Sequence, residues 1–203
     1  MVRVPNLTRD MVEDPYKEAF DHETSESNGV VESGPGSVMI YSPEMRKRAN
    51  HLVGYFRRVT DLPHKLQELC MILTARHMDC QYIWHAHAGF ARESGLSDEL
   101  VNNLRDKKDL PTLSTDEDAV INYGREFFRT HKVTQKSFDA ALACFGVRGL
   151  VELTNLMGYY AALAFNVNAF EMEIPGDSPE TVSYTHLRAH ETEADLVCRL
   201  LLE

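Results

Sequence analysis

The sequence is poor in basic residues, in paired cysteines and in long apolar runs. Lys and Arg number 21 against 31 Asp and Glu, so the formal net charge is −10. A general nucleic-acid-binding protein has a basic footprint, and we therefore expect no nucleic-acid partner. The four cysteines (Cys70, Cys80, Cys144 and Cys198) form no CxxC pair and no disulfide framework. This cysteine usage is typical of a reduced, cytoplasmic protein.

Two further absences concern membranes. No uninterrupted apolar run reaches the roughly 18 to 20 residues that are needed to span a bilayer. The first residues, MVRVPNLTRDMVED, lack the apolar segment of a secretory signal. We therefore expect neither a membrane partner nor secretion.

No stretch shows the alternation of a β-strand, whereas capping residues and helical periodicity recur, so the sequence predicts an all-α protein. Predicted helices begin at or just after Ser42, Pro63, Asp79, Ser97, Ser114 and Thr134, and Gly95 and Gly146 mark two helix ends. The last helix, Val147 to Phe170, is apolar on nearly all sides. That pattern indicates either a central buried helix or an oligomer contact.

The two ends of the chain differ from the rest. Residues 1–36 are polar and contain several glycines, so we expect them to wrap around the domain or fray rather than form core. Residues 182–203, VSYTHLRAHETEADLVCRLLLE, resemble a translated sequencing adapter, which predicts a non-native tail after Thr181. The alternative is a genuine amphipathic helix. The predicted division is a segment at 1–36, a domain at 37–181 and the tail at 182–203.

The segment from Glu68 to Gly95 contains most of the reactive side chains. Cys80, Trp84 and His87 are four and seven residues apart, so a helix places them on one stripe. His85 lies about 200° around the helix from His87, and we therefore expect no metal site at these histidines.

Glu68 lies among apolar residues, where a carboxylate is costly to bury unless it is paired or protonated. One interpretation is a catalytic acid or base with a tuned pKa. The other is a structural pair with Arg76 or with a histidine.

The segment from Ser42 to Met172 resembles the carboxymuconolactone decarboxylase family of the alkylhydroperoxidase D-like fold. The resemblance rests on Glu68, the pair Ala75–Arg76, Tyr82-Ile83-Trp84, His87 and the following Gly95-Leu96-Ser97. It implies an all-α helical bundle that forms a homo-oligomer, either a trimer or a hexamer.

The same resemblance places residues in two types of site. Peroxidase members use a glutamate, a CxxC pair and a histidine, and Glu68, Cys80 and His87 match three of those positions. Ile83 occupies the position of the second cysteine, so an intramolecular disulfide cannot form there. Many decarboxylase-like members carry an acid in the Tyr-x-Trp motif, where this chain also has Ile83.

These features lead to three hypotheses. The first is a cofactor-independent acid–base lyase, a decarboxylase-like enzyme of aromatic degradation that acts on a small carboxylated lactone or enol compound. The second is a thiol-dependent alkylhydroperoxidase, a peroxiredoxin activity through Cys80. The third is a non-catalytic oligomeric binder. The candidate catalytic residues are His87, Glu68, His85 and Cys80, and the candidate substrate-binding residues are Trp84, Arg76, Tyr82 and Ile83. We expect no cofactor.

Overall fold

A computed structural model describes residues 2–31 and 34–174 of the chain. Within these residues all regular structure is helical, as the sequence predicts. The eight α-helices are α1 (Lys17–Glu23), α2 (Pro35–Met39), α3 (Pro43–Arg58), α4 (His64–His77), α5 (Gln81–Glu93), α6 (Asp98–Arg105), α7 (Thr115–Thr130) and α8 (Gln135–Ala169). The predicted tail at 182–203 and the end of the predicted domain lie outside the described residues.

Helix α4 is the centre of the bundle. Ten consecutive residues, from Leu66 to Ala75, are buried, and α5, α7 and α8 pack around them. Continuous burial on all sides explains why α4 shows almost no polar face in the sequence. Glu68 is one of these ten residues, so its carboxylate is buried because the helix that carries it is buried.

The last helix, α8, is buried on one side and exposed on the other. Leu153, Leu156 and Ala164 are fully buried against the core, whereas Val147, Val151 and Phe165 are exposed. Of the two interpretations that its composition allowed, complete burial at the centre is wrong because α4 occupies that place. By length and composition α8 would pass for a membrane span, but core helices pass the same test, and its buried stripe packs on α4 and α7.

Several predicted helix ends are confirmed. The Ser97 hydroxyl accepts from the Leu100 amide, and Ser114 with Glu117 forms a reciprocal capping box. Gly95 adopts φ +103° after α5. Gly146 adopts φ +64° and ψ 178°, which interrupts α8 where the sequence predicts a helix end.

The N-terminal segment differs from our expectation. Helix α1 packs on α3, and α2 packs on α3 and α8. Leu7, Val12, Phe20 and Ile40 form a small apolar cluster of their own, with Phe20 only 1% exposed. The segment therefore contributes buried structure, because its few apolar residues are brought together by short turns that no helical or strand period reveals.

Candidate active site

The junction between α4 and α5 determines where α5, which contains His87, begins. Asp79 was expected to cap α5, but it adopts φ +46° and the Cys80 amide donates to the carbonyl of Ala75. This is the hydrogen-bond pattern of a Schellman motif, so Asp79 ends α4 rather than beginning α5. Its carboxylate instead accepts from Arg76 at 2.6 Å. Cys80 becomes the N-cap residue of α5.

A cavity of about 230 Å³ lies where α2, α3, α5 and α8 meet. From α5 it is lined by Tyr82, Ile83 and His87, and from α8 by Tyr159 and Tyr160. The described residues that line it include no Asp or Glu. Its volume is below the range of about 300 to 1,000 Å³ that is usual for ligand sites, so it suits only a small compound.

A larger groove of about 730 Å³ runs between α7 and the first part of α8. It is lined by polar and charged side chains such as Arg125, Arg129 and Lys136, and no histidine is among the described residues that line it. We therefore place the candidate site in the smaller cavity, which contains His87.

Glu68 and His87 form the central pair of this site. The Nδ1 atom of His87 lies 2.9 Å from Oε2 of Glu68. The Glu68 side chain is 6% exposed and that of His87 is 18% exposed. A second histidine, His64, lies on the other carboxylate oxygen, with Nε2 at 3.4 Å from Oε1. The sequence left two partners open for Glu68, and the structure shows the histidine pair rather than the Arg76 pair.

The pairing has a chemical consequence for the imidazole. A carboxylate at Nδ1 favours the tautomer with a proton there. Nε2 is then the nitrogen that remains for a ligand in the cavity. A histidine held in this way can accept or deliver one proton at a defined position.

Two tyrosines form the aromatic wall beside His87. The Tyr160 ring meets the His87 ring edge to face, with centroids 5.1 Å apart. Burial, together with the negative charge of Glu68, raises the pKa of Tyr160. Burial also raises the pKa of Tyr159. Both phenols therefore stay protonated near neutral pH and can donate hydrogen bonds.

Helix α3 contributes a polar edge to the cavity. Arg46, Asn50, Val53 and Arg57 all line it. Their spacing of four, three and four residues places them on one helix face. This spacing is the signal in the sequence that would have selected the two arginines.

Arg46 is held in place by the N-terminal segment. Its Nη1 donates to the carbonyl of Gly36, and its Nε lies 3.6 Å from Oε2 of Glu23. The Glu23 side chain is 4% exposed and also accepts a hydrogen bond from Asn50. A Cβ at Gly36 would come within 2.7 Å of Arg46 Nη1, so a larger residue there would require this guanidinium to shift. The charge of Arg46 is thus largely balanced before any ligand binds.

Comparison with solved structures places this arrangement in a known fold. An uncharacterized peroxidase-related protein from Ralstonia eutropha, described as an alkylhydroperoxidase AhpD core, matches with a TM-score of 0.64 and 14% identity, covering 87% of this chain and 93% of that one. A protein of unknown function from Agrobacterium tumefaciens, described as a candidate AhpD antioxidant defence protein, matches with a TM-score of 0.61 and 19% identity, covering 68% and 96%. This chain has the alkylhydroperoxidase D-like fold.

A third similar structure is the debrominase Bmp8, solved as a cysteine-to-alanine variant in complex with 2,3,4-tribromopyrrole. It has a TM-score of 0.63 and 11% identity, and the match covers 87% of this chain and 92% of that one. No family model matches the sequence, and no curated protein matches it. Proteins with the alkylhydroperoxidase D-like fold are thus named for more than one type of reaction.

The thiol that a peroxidase of this fold would use is enclosed here. Cys80 is 1% exposed and is not among the residues that line the cavity. Burial raises the pKa of its thiol to about 11, although the amides of Ile83 and Tyr82 act in the opposite direction. Ile83, at the position of a second cysteine, lines the cavity with a hydrocarbon side chain.

The remaining predicted residues separate into two groups. Tyr82 and Ile83 line the cavity, as expected for ligand contacts. Trp84, Arg76 and His85 are not among the lining residues, which corrects their expected positions in the pocket. Trp84 is fully buried in the core, and Arg76 donates to Asp79 and to the carbonyl of Arg105. The Nδ1 atom of His85 is buried and has no hydrogen-bond partner among the described residues.

The described ranges contain no group of three or more His, Cys, Asp or Glu side chains placed to hold a metal ion. The side chains at the cavity supply one histidine–carboxylate pair, phenol donors and two guanidinium groups.

Proposed function

We propose that this protein is an acid–base enzyme, a cofactor-independent carbon–carbon lyase of the decarboxylase type. Its proposed substrate is a small carboxylated lactone or enol compound. The observation that carries the proposal is the Glu68–His87 pair, held at 2.9 Å beside a small cavity whose described lining residues include His87 and no Asp or Glu. We further propose that it acts in the cytoplasm on products of aromatic degradation.

The proposed reaction needs one proton and no redox partner. The bond between the substrate carbon and its carboxylate breaks, carbon dioxide leaves, and the electron pair remains on the carbon as an enolate. Nε2 of the His87 imidazolium then delivers a proton to that carbon, and the neutral imidazole regains a proton from solvent. Glu68 holds the ring by Nδ1 and fixes its orientation.

The tyrosines and arginines support the same type of substrate. Phenol donors beside His87 can stabilise a developing enolate oxygen, which is the role of an oxyanion site. The arginines supply positive charge for a carboxylate in a protein that is acidic as a whole. A small ring is compatible with the cavity, and the debrominase with this fold was solved with a small ring compound.

The second candidate is the thiol-dependent hydroperoxidase. It is favoured by the names of two similar structures, which are described as AhpD proteins. The enclosure of Cys80 and the raised pKa of its thiol count against it. For this reason we place acid–base chemistry first.

The test is a substrate screen with two readouts. Carboxylated lactones and enol acids are incubated with the protein and carbon dioxide release is measured, while a parallel series measures consumption of alkyl hydroperoxide with a dithiol reductant. Release of carbon dioxide without peroxide consumption is the expected result. Peroxide turnover that is lost in Cys80→Ala, with no carbon dioxide from any acid, would replace the proposal with the thiol reaction.

A further inference from the structure

The cavity has two arginines on the same face of α3, but their surroundings differ. Arg46 is paired with Glu23 and donates to the carbonyl of Gly36. Arg57 has no hydrogen bond or ion pair with any residue of the described chain. It is also the more exposed of the two, since the side chain of Arg46 is only 14% exposed.

We infer that Arg57 is the anion-binding residue of this cavity and that it receives a substrate carboxylate other than the one that leaves. The inference rests on the proposed function and names the residue that selects a small organic acid. A guanidinium presents parallel N–H donors that match the two oxygens of a carboxylate. Arg57 can offer all of them without breaking a bond to the protein.

The charge of Arg57 acts inside the cavity and not only at the surface. Its positive charge lowers the pKa of both Tyr159 and Tyr160, against the larger opposite effect of burial. The guanidinium and both phenols also line the same cavity. Arg46 acts in the same sense on Tyr159.

The exposure of the lining residues follows a gradient. Arg57 is exposed, Tyr159 is half-buried and Tyr160 is 6% exposed beside His87. A small acid that enters with its retained carboxylate on Arg57 would place its ring against the tyrosines and its reacting end toward His87. Arg57 is the arginine near solvent. A carboxylate bound to it loses less hydration than one bound beside Arg46, so its desolvation costs less free energy.

The test uses benzoate as an acidic probe and benzyl alcohol as its neutral counterpart, with binding to the full chain measured by titration calorimetry. Arg57→Gln should weaken benzoate binding by about 10- to 100-fold, the range for a charge-assisted hydrogen bond, and leave benzyl alcohol unchanged. Arg57→Lys should retain part of the affinity. Arg58→Gln is the matched control, because Arg58 is exposed on the same helix and does not line the cavity.

The outcomes separate this inference from the proposed reaction. His87→Ala should still bind benzoate, since the proposed anion-binding guanidinium belongs to α3 and His87 to α5, even though turnover is lost. Equal benzoate affinity in Arg57→Gln and the unchanged protein would overturn the inference, as would no benzoate binding by the unchanged protein. Weak binding in Arg57→Gln with no carbon dioxide release from any acid would keep the anion site and refute the lyase.

Discussion

Cys80 occupies the position where a peroxidase of the resembled family needs a reactive thiol, yet its surroundings favour the protonated form. The pKa of about 11 follows from burial, which a helix N-terminus does not offset here. At pH 7 only about one molecule in 10⁴ then carries the thiolate. The residue type matches a redox site, but its environment does not.

This contrast predicts how the thiols react with iodoacetamide. Cys144 is exposed and should be modified well before Cys80 at pH 7. The Cys80 rate should rise about tenfold per pH unit between pH 7 and 10, because the thiolate fraction does so below the pKa. Peptide mapping by mass spectrometry measures both rates in one sample, and urea-unfolded protein serves as the control in which the difference disappears. Modification of Cys80 as fast as Cys144 at pH 7 would reopen the thiol mechanism.

The arginines that line the cavity are not the one that the sequence motif suggested. Arg76 was chosen from the sequence because it shares the motif segment with Glu68, but it is used by Asp79 and the Arg105 carbonyl at the end of α4. The cavity arginines are on α3, outside that segment. Pairing between distant residues decides which guanidinium is available, and no spacing rule within one helix contains that information.

At the level of the helices, local chemistry predicts more. Ser97, Ser114 with Glu117, Thr134, Gly95 and Gly146 mark the ends that the structure has, because each acts on its own helix through a nearby backbone group. Ser42 precedes α3 but makes no side-chain cap. Asp79 was assigned to the wrong helix because its left-handed φ cannot be read from its neighbours.

Gly146 provides a stability test at this scale. Its φ of +64° with ψ of 178° belongs to a region that essentially only glycine occupies, so Gly146→Ala should cost about 1 to 3 kcal/mol. The space around it is open, which leaves the backbone as the cause. Urea unfolding gives the free energy.

The matched control for that variant is Gly158→Ala in the same helix. Gly158 has helical geometry and open space, so alanine there should stabilise the protein by up to about 1 kcal/mol. Equal effects of the two substitutions would show that Gly146 does not need its unusual backbone angles.

At the level of the whole molecule, the cavity is assembled from separate parts of the chain. Glu23 and Gly36 precede the predicted domain, Arg46 and Arg57 belong to α3, and His87 belongs to α5. The sequence indicated the α5 side through its motif. It did not indicate that the polar segment at 1–36 would fix Arg46, because that contact depends on how α1 and α2 pack.

We propose that the protein is a homo-oligomer, a trimer or a hexamer, as the family resemblance implies. Val147, Val151 and Phe165 on α8 are 71%, 56% and 67% exposed, which supports a contact surface on that helix. Sedimentation velocity should give three or six times the chain mass of 23.1 kDa. Val151→Glu should shift the protein toward smaller species, and Val30→Glu, at an exposed valine far along the chain, should not. A monomer at micromolar concentration would contradict the proposal.

In the proposed reaction His87, held by Glu68, delivers the proton that replaces the lost carboxylate. The direct measurement is carbon dioxide release from the acid that the screen identifies, compared between the unchanged protein, His87→Ala and the exposed-histidine control His51→Ala. We predict at least a hundredfold lower turnover in His87→Ala and no change in His51→Ala, because general acid catalysis contributes about 10² to 10⁴. Turnover in His87→Ala within a few-fold of the unchanged protein would contradict the claim.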